Sequence, residues 1–227
     1  MKKIFAFLLS ASMLLSLAAC GGEGGGQTTD TDNIITQPVT EQTSDIKETT
    51  ENANSDQTTD LAIKAPGKTL VVYFSGSGNT KRVAEIIAEE SGADTFEIVP
   101  AMPYTDDDLN WRDQSSRVNN EHNDTALQDV ELVSTAVSGW EDYDTVFFGY
   151  PIWWREASWV VNRFVKDNNF DGKTVIPFCT STSSPFGDSG KNLSEMAGSG
   201  NWTDGRRFTE NANETDIRDW VKSLNLE

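Results

Sequence analysis

Two runs of apolar residues constrain this chain most: TLVVYF (69–74) and TVFFGYP (145–151). Neither alternates between apolar and polar positions. A strand with one wet face alternates; a strand buried on both faces does not. DTFEIVP (94–100) and KTVIPFC (173–179) read as further strands, and a fifth is expected around Arg206–Phe208. Helical patterns lie between them. Val83, Ile86 and Ile87 fall at helical spacing in TKRVAEIIAEES, with a stop at Ser91-Gly92. Val160, Val161, Phe164 and Val165 form one stripe, and a short helix is expected near Lys191–Ala197. Ile217, Trp220, Val221 and Leu224 form another stripe at i, i+3, i+4 and i+7. The polar stretch holding Tyr104, Leu109 and Trp111 is read as one helix and a loop. Strands alternating with helices predict an α/β fold: a doubly wound, five-stranded parallel sheet with helices on both faces. Ligands in such folds sit at the carboxyl ends of the strands.

The chain before this pattern has a different character. MKKIFAFLLSASMLLSLAAC opens with Lys2 and Lys3 and continues as an apolar run, the form of a secretory signal. It ends in Leu17-Ala18-Ala19-Cys20 before Gly21-Gly22, which resembles a bacterial lipobox. That resemblance implies cleavage and lipidation of Cys20. Acyl chains there would anchor the protein to the cell membrane on its extracytoplasmic side, at about 0.8 kcal/mol per buried CH₂. Residues 21–65 are rich in Thr, Asp, Asn and Gln and contain no aromatic residue. Such a segment buries too little to offset its ordering entropy and is expected to be a disordered acidic tether. The folded domain is placed at 66–227.

Charge and cysteine content exclude several classes of function. The net charge is −18, of which −7 belongs to the tether and −13 to residues 66–227, against +2 on the leader. Such a surface repels nucleic acid. The two cysteines, Cys20 and Cys179, have neither metal-site nor redox-pair spacing. The single histidine, His122, lies in the polar run RVNNEHND and is expected to be solvated. No Ser-His or Cys-His hydrolase constellation is apparent, no metal site is expected, and no side chain is assigned a catalytic role.

Three segments fall at expected strand ends. After TLVVYF comes Ser75-Gly76-Ser77-Gly78-Asn79-Thr80. A loop joining a strand to a helix N-terminus offers free N–H groups and the positive end of the helix dipole, which suits a phosphate. Gly76 and Gly78 allow close approach, Ser75, Ser77 and Thr80 supply hydroxyls, and Asn79 or Thr80 is the expected N-cap. There is no Walker Gly-Lys-Ser/Thr, and Lys81 stands where a GxGxxG motif needs its third glycine. The hexapeptide resembles the phosphate loop of the flavodoxin family, which holds the 5′-phosphate of FMN. Residues 66–227 as a whole resemble flavodoxin-like proteins, and within them the lipoprotein type. The resemblance implies a strand order of 2-1-3-4-5 and FMN as cofactor.

It also implies two further contacts. Tyr150-Pro151-Ile152-Trp153-Trp154 resembles the loop flanking the flavin ring, which needs a flat apolar wall. Trp153 or Trp154 can supply it; Trp153 is assigned to the flavin, with the other tryptophan packed in the core. Thr180-Ser181-Thr182-Ser183-Ser184-Pro185-Phe186-Gly187 resembles the loop around the flavin's polar end, with Thr180, Ser181, Ser184 and Gly187 as contacts. Departures occur too. Arg155-Glu156-Ala157-Ser158 follows where the family often has Gly and Pro, and the third loop has no tyrosine for the second ring face, leaving Phe186 or an open face. Cys179 is read as a small buried apolar residue.

The resemblance implies a membrane-anchored FMN protein transferring electrons outside the cytoplasm. The acidic surface disfavours the anionic reduced flavin and is expected to lower its potential. Its partner is a redox protein or small-molecule acceptor. An FMN-dependent NAD(P)H:quinone-type oxidoreductase is the alternative, and a binding module that has lost its flavin is a third reading.

Overall fold

The computed structural model describes residues 67–226. The signal sequence, Cys20 and the tether lie outside the described residues.

Each element grows from a local pattern. The chain runs β1 (Lys68–Tyr73), α1 (Asn79–Ser91), β2 (Asp94–Glu97), α2 (Arg117–Asn123), β3 (Tyr143–Trp153), β4 (Glu156–Ala157), α3 (Asn162–Asp167), β5 (Thr174–Thr180), α4 (Ser189–Ala197), β6 (Asn201–Trp202), β7 (Arg206–Phe208) and α5 (Glu214–Ser223). The sheet order is β2-β1-β3-β5-β6, and β7 also pairs with β5. Every pairing within this order is parallel. The expected 2-1-3-4-5 order is therefore present, with β5 as fourth strand and its outer edge shared by β6 and β7.

That shared edge has a cause in β5. β6 pairs with Thr174 and Val175, and β7 with Phe178 to Thr180. The gap falls opposite Pro177, which has no N–H for the ladder. Phe186 fills the space beside the gap: a Cβ on Gly205 would lie 2.1 Å from its ring. A side chain at 205 is thereby excluded.

The central strands β1, β3 and β5 are largely apolar because both faces of the sheet are covered there. Val71, Tyr73, Phe147, Ile176 and Phe178 pack beneath Val83 and Ile87 of α1 and Ile217 and Trp220 of α5. Leu70, Val72, Phe148 and Val175 face the other way, with Val118 of α2, Phe164 and Val165 of α3 and Leu193 of α4. Each fully buried side chain of this size contributes about 1.5–3 kcal/mol. The second strand ends at Glu97 rather than at Pro100, which instead forms an isolated bridge to Leu132. The stripe 160–165 begins as a 3-10 turn, Trp159–Val161, before α3.

Candidate functional site

β1, β3 and β5 all end at one edge of the sheet, and their three loops enclose a single cleft of about 260 Å³. Gly76, Ser77 and Asn79 line it from the first loop, Pro151, Ile152 and Trp153 from the second, and Thr180, Ser181 and Thr182 from the third. Leu109, Trp111 and Glu210 complete the wall.

The first loop ends in an uncapped helix. The N-cap of α1 is Gly78, at φ 86°, with no side-chain cap hydrogen bond. This corrects the expectation of an Asn79 or Thr80 cap. Asn79 turns back instead, its amide donating to Ser77 Oγ at 3.2 Å. The Thr80 hydroxyl is committed elsewhere: it hydrogen-bonds Thr180 Oγ1 at 2.7 Å, and both residues are buried. That bond ties the first loop to the third. The buried Ser75 hydroxyl has no hydrogen-bond partner. An orphaned buried hydroxyl beside free helix N–H groups is an unfilled acceptor and donor set, and it fits an oxyanion. The neighbouring cations are engaged elsewhere. Lys81 Nζ pairs with Glu97 at 3.0 Å, and Arg82 donates to the Ala212 carbonyl.

In the second loop the two tryptophans part. Trp153 lines the cleft, held edge-on by Phe74 at 5.8 Å, Tyr104 at 5.5 Å and Trp159 at 4.9 Å between centroids. Trp154 is not a core residue; it is exposed and stacks on His122 at 4.2 Å. His122 is half-buried by this stack rather than freely solvated. The departure Arg155-Glu156 is a hairpin: Trp153 pairs with Glu156, leaving Trp154 (φ 45°) and Arg155 (φ 72°) as a two-residue left-handed turn. Non-glycine residues there cost of order 1–3 kcal/mol each. Behind the rings, Glu121 accepts from Tyr104 Oη at 2.6 Å, Trp159 Nε1 at 2.8 Å and Arg117 Nε at 2.6 Å. Burial and the Glu121 carboxylate push the Tyr104 hydroxyl far above its ordinary range, so it stays protonated and donating.

The third loop is held from below. Arg207 Nε donates to Ser181 Oγ at 2.6 Å, and Nη2 to the carbonyls of Ser181 and Thr182, both at 3.0 Å. Ser181 Oγ in turn donates to the Ser184 carbonyl at 2.5 Å. Gly187 (φ 56°) sits in the turn leading into α4. Tyr150 lies behind the cleft rather than on it, fully buried with its hydroxyl 3.0 Å from Ser189 Oγ. Burial pushes the Cys179 thiol up to about 12, so it remains an inert buried thiol.

The sequence matches the family described as Flavodoxin over residues 68–224. The chain belongs to the flavodoxin family. Among solved structures it is similar to a candidate flavoprotein from Bacteroides eggerthii, 38% identical, covering 71% of this chain and 99% of that one at a TM-score of 0.63. A second, from Bacteroides uniformis, is 39% identical and covers 70% and 99% at a TM-score of 0.63. A flavoprotein from Lactobacillus acidophilus, solved in complex with FMN, is 20% identical over 68% of this chain and 98% of that one, at a TM-score of 0.49. No curated protein was found to match. Of the residues assigned from sequence, eight line the flavodoxin cleft: Gly76, Ser77, Asn79, Pro151, Ile152, Trp153, Thr180 and Ser181. Ser75, Gly78, Thr80, Tyr150, Ser184 and Gly187 support it from behind or through the backbone. Thr182 joins it from the third loop, Leu109, Trp111 and Glu210 join it from segments not assigned to it, and Arg207 supports its third loop.

Proposed function

We propose that this domain binds FMN and carries electrons, tethered by a lipid on Cys20 to the extracytoplasmic side of a bacterial cell membrane. The observation that carries the reading is the first loop: an uncapped helix N-terminus beside the unpartnered buried hydroxyl of Ser75. The phosphate would be held by the N–H groups of residues 76–80 and the hydroxyls of Ser75 and Ser77. Trp153 and Ile152 offer the ring an apolar wall, and Thr180, Ser181 and Thr182 offer its polar end hydroxyl and backbone groups. Bound FMN supplies reversible one- and two-electron chemistry; the chain's own task is to bind it, orient it and limit water around it. The lipid anchor rests on the Leu17-Ala18-Ala19-Cys20 pattern after a basic, apolar leader.

The first test is an absorbance titration of the purified, flavin-free protein with FMN and with riboflavin. Tight binding of FMN, weaker binding of riboflavin and loss of FMN affinity in Ser77→Asp are the expected results. A protein that ignores FMN removes the redox reading and leaves the fold. For the anchor, Cys20→Ala releases the protein from the membrane fraction; retention of that variant in the membrane overturns lipidation at Cys20.

A further inference from the structure

Trp111, in the connection from β2 to α2, is 59% exposed and yet lines the cleft. An exposed apolar side chain by itself needs no explanation; this one counts because its indole is part of the cleft wall. Its backbone is not loose. The buried side chain of Asn119 donates to the carbonyls of Trp111 at 2.9 Å and Asp113 at 2.7 Å. Asp108, upstream, accepts from the Thr105 N–H at 2.9 Å and its hydroxyl at 2.8 Å, and the Asp108 carbonyl accepts from the Val118 N–H at 3.0 Å. The loop is therefore fixed while the indole it carries stays uncovered. Arg112 lies over the ring, 4.5 Å from its centroid, and occupies one face only.

The third loop cannot provide a second aromatic wall. Its aromatic residue, Phe186, is wedged against Gly205 and Gly190 and packs on Tyr150 at 6.5 Å. Leu109, two residues before Trp111, already lies over the first loop: a Cβ on Gly76 would be 3.3 Å from it and 3.7 Å from the Trp153 ring. Leu109, Trp111 and Trp153 thus converge on one cleft from two separate connections.

We propose that Trp111 is the second aromatic wall of the flavin site, covering the ring from the β2–α2 connection, with Arg112 stacked behind it. The inference rests on the FMN reading above and adds a ring-positioning residue to it.

The test is a fluorescence titration of flavin-free wild type, Trp111→Ala and Trp111→Phe with both FMN and riboflavin. An aromatic platform removed from beneath a base-like ring weakens binding by about tenfold. The Ala variant should lose that factor for both flavins, and the emission of its bound flavin should rise. The Phe variant should recover to within about threefold of wild type. Thermal unfolding should be unchanged, since truncation of an exposed side chain shifts stability little. Wild-type affinity and quenching in the Ala variant overturn the inference and leave FMN binding intact. A loss confined to FMN also overturns it, because the indole then acts on the phosphate. Failure of the wild type to bind either flavin overturns the FMN reading itself, and the inference with it.

Discussion

Glu121→Gln tests the scaffold behind Trp153. The carboxylate is nearly excluded from water, with 6% of its side chain exposed, and three donors converge on it. Oε2 accepts from Tyr104 and Trp159, and Oε1 from Arg117. A glutamine has the same shape but only one acceptor oxygen. Facing that oxygen to Tyr104 and Trp159 turns the amide NH₂ toward Arg117 Nε–H, donor against donor. One charge-assisted bond is lost, at about 1.5–3 kcal/mol. For a domain of this size each kcal/mol moves the melting temperature by roughly 2–4 °C, so a fall of about 3–12 °C is expected. Glu121→Leu leaves all three donors without an acceptor and should cost about 3–5 kcal/mol, the range for breaking a buried ion pair. Calorimetry and denaturant titration measure both variants. Tyr104 and Trp159 also brace Trp153, so the near-ultraviolet circular dichroism of the tryptophans should change with them. A Gln variant that melts within a degree of wild type refutes the reasoning, and the bond from Arg117 then adds nothing net to stability.

Thr80→Val should lower stability by about 1–3 kcal/mol by orphaning the buried Thr180 hydroxyl, whereas Thr80→Val with Thr180→Val should recover most of it; a double variant no more stable than the single one dismisses the bond as the cause. Arg218 grips Glu89 at 2.8 Å, Glu90 at 3.1 Å and Glu214 at 2.7 Å, joining α5 to α1. Its hydrogen bond holds the Glu90 carboxyl below the usual range, so this stabilisation is complete above the unfolded value near 4.3 and is lost as pH falls through the lower folded value. Arg218→Met should therefore narrow the difference in denaturant midpoint between pH 7 and pH 3; an equal drop at both pH values would remove Glu90 from the explanation.

What could be read from sequence follows from how local each signal is. TLVVYF and TVFFGYP betray their two-sided burial because every residue must be apolar, whatever its neighbours are. The first loop of the cleft is legible for the same reason: its glycines, hydroxyls and helix start are contiguous. The expected Thr80 cap fails because its hydroxyl satisfies a partner a hundred positions away, and no local pattern reveals that bond. Arg207 and Glu210 reach the site only because β7 pairs with β5, and Pro177 sets where that pairing resumes. Trp111 carried a weak signal, a large aromatic in a polar stretch, but its direction depends on the clamp from Asn119. Trp154 is expected in the core because adjacent loop residues tend to face opposite ways. They do, but the hairpin at 154–155 sends it onto His122.

The charge balance leads to a last prediction. Residues 66–227 carry −13, and the cations flanking the phosphate loop are engaged with Glu97 and Ala212. Glu210 adds a carboxylate to the cleft wall. If N–H groups and hydroxyls alone hold the phosphate, the long-range field opposes the anion. Raising ionic strength from 0.01 to 0.15 M shortens the screening length from about 30 to about 8 Å. FMN should then bind more tightly, while riboflavin, which has no phosphate, should barely respond. Glu210→Gln should tighten FMN binding by a few-fold at low salt, a gain of about 0.5–1 kcal/mol that salt erases. This is the reverse of the salt dependence seen where lysines and arginines hold phosphates. FMN affinity that falls with salt would mean that a cation reaches the phosphate after all. In that case Lys81 must leave Glu97 or Arg82 must leave the Ala212 carbonyl, and the loop works by charge rather than by its backbone.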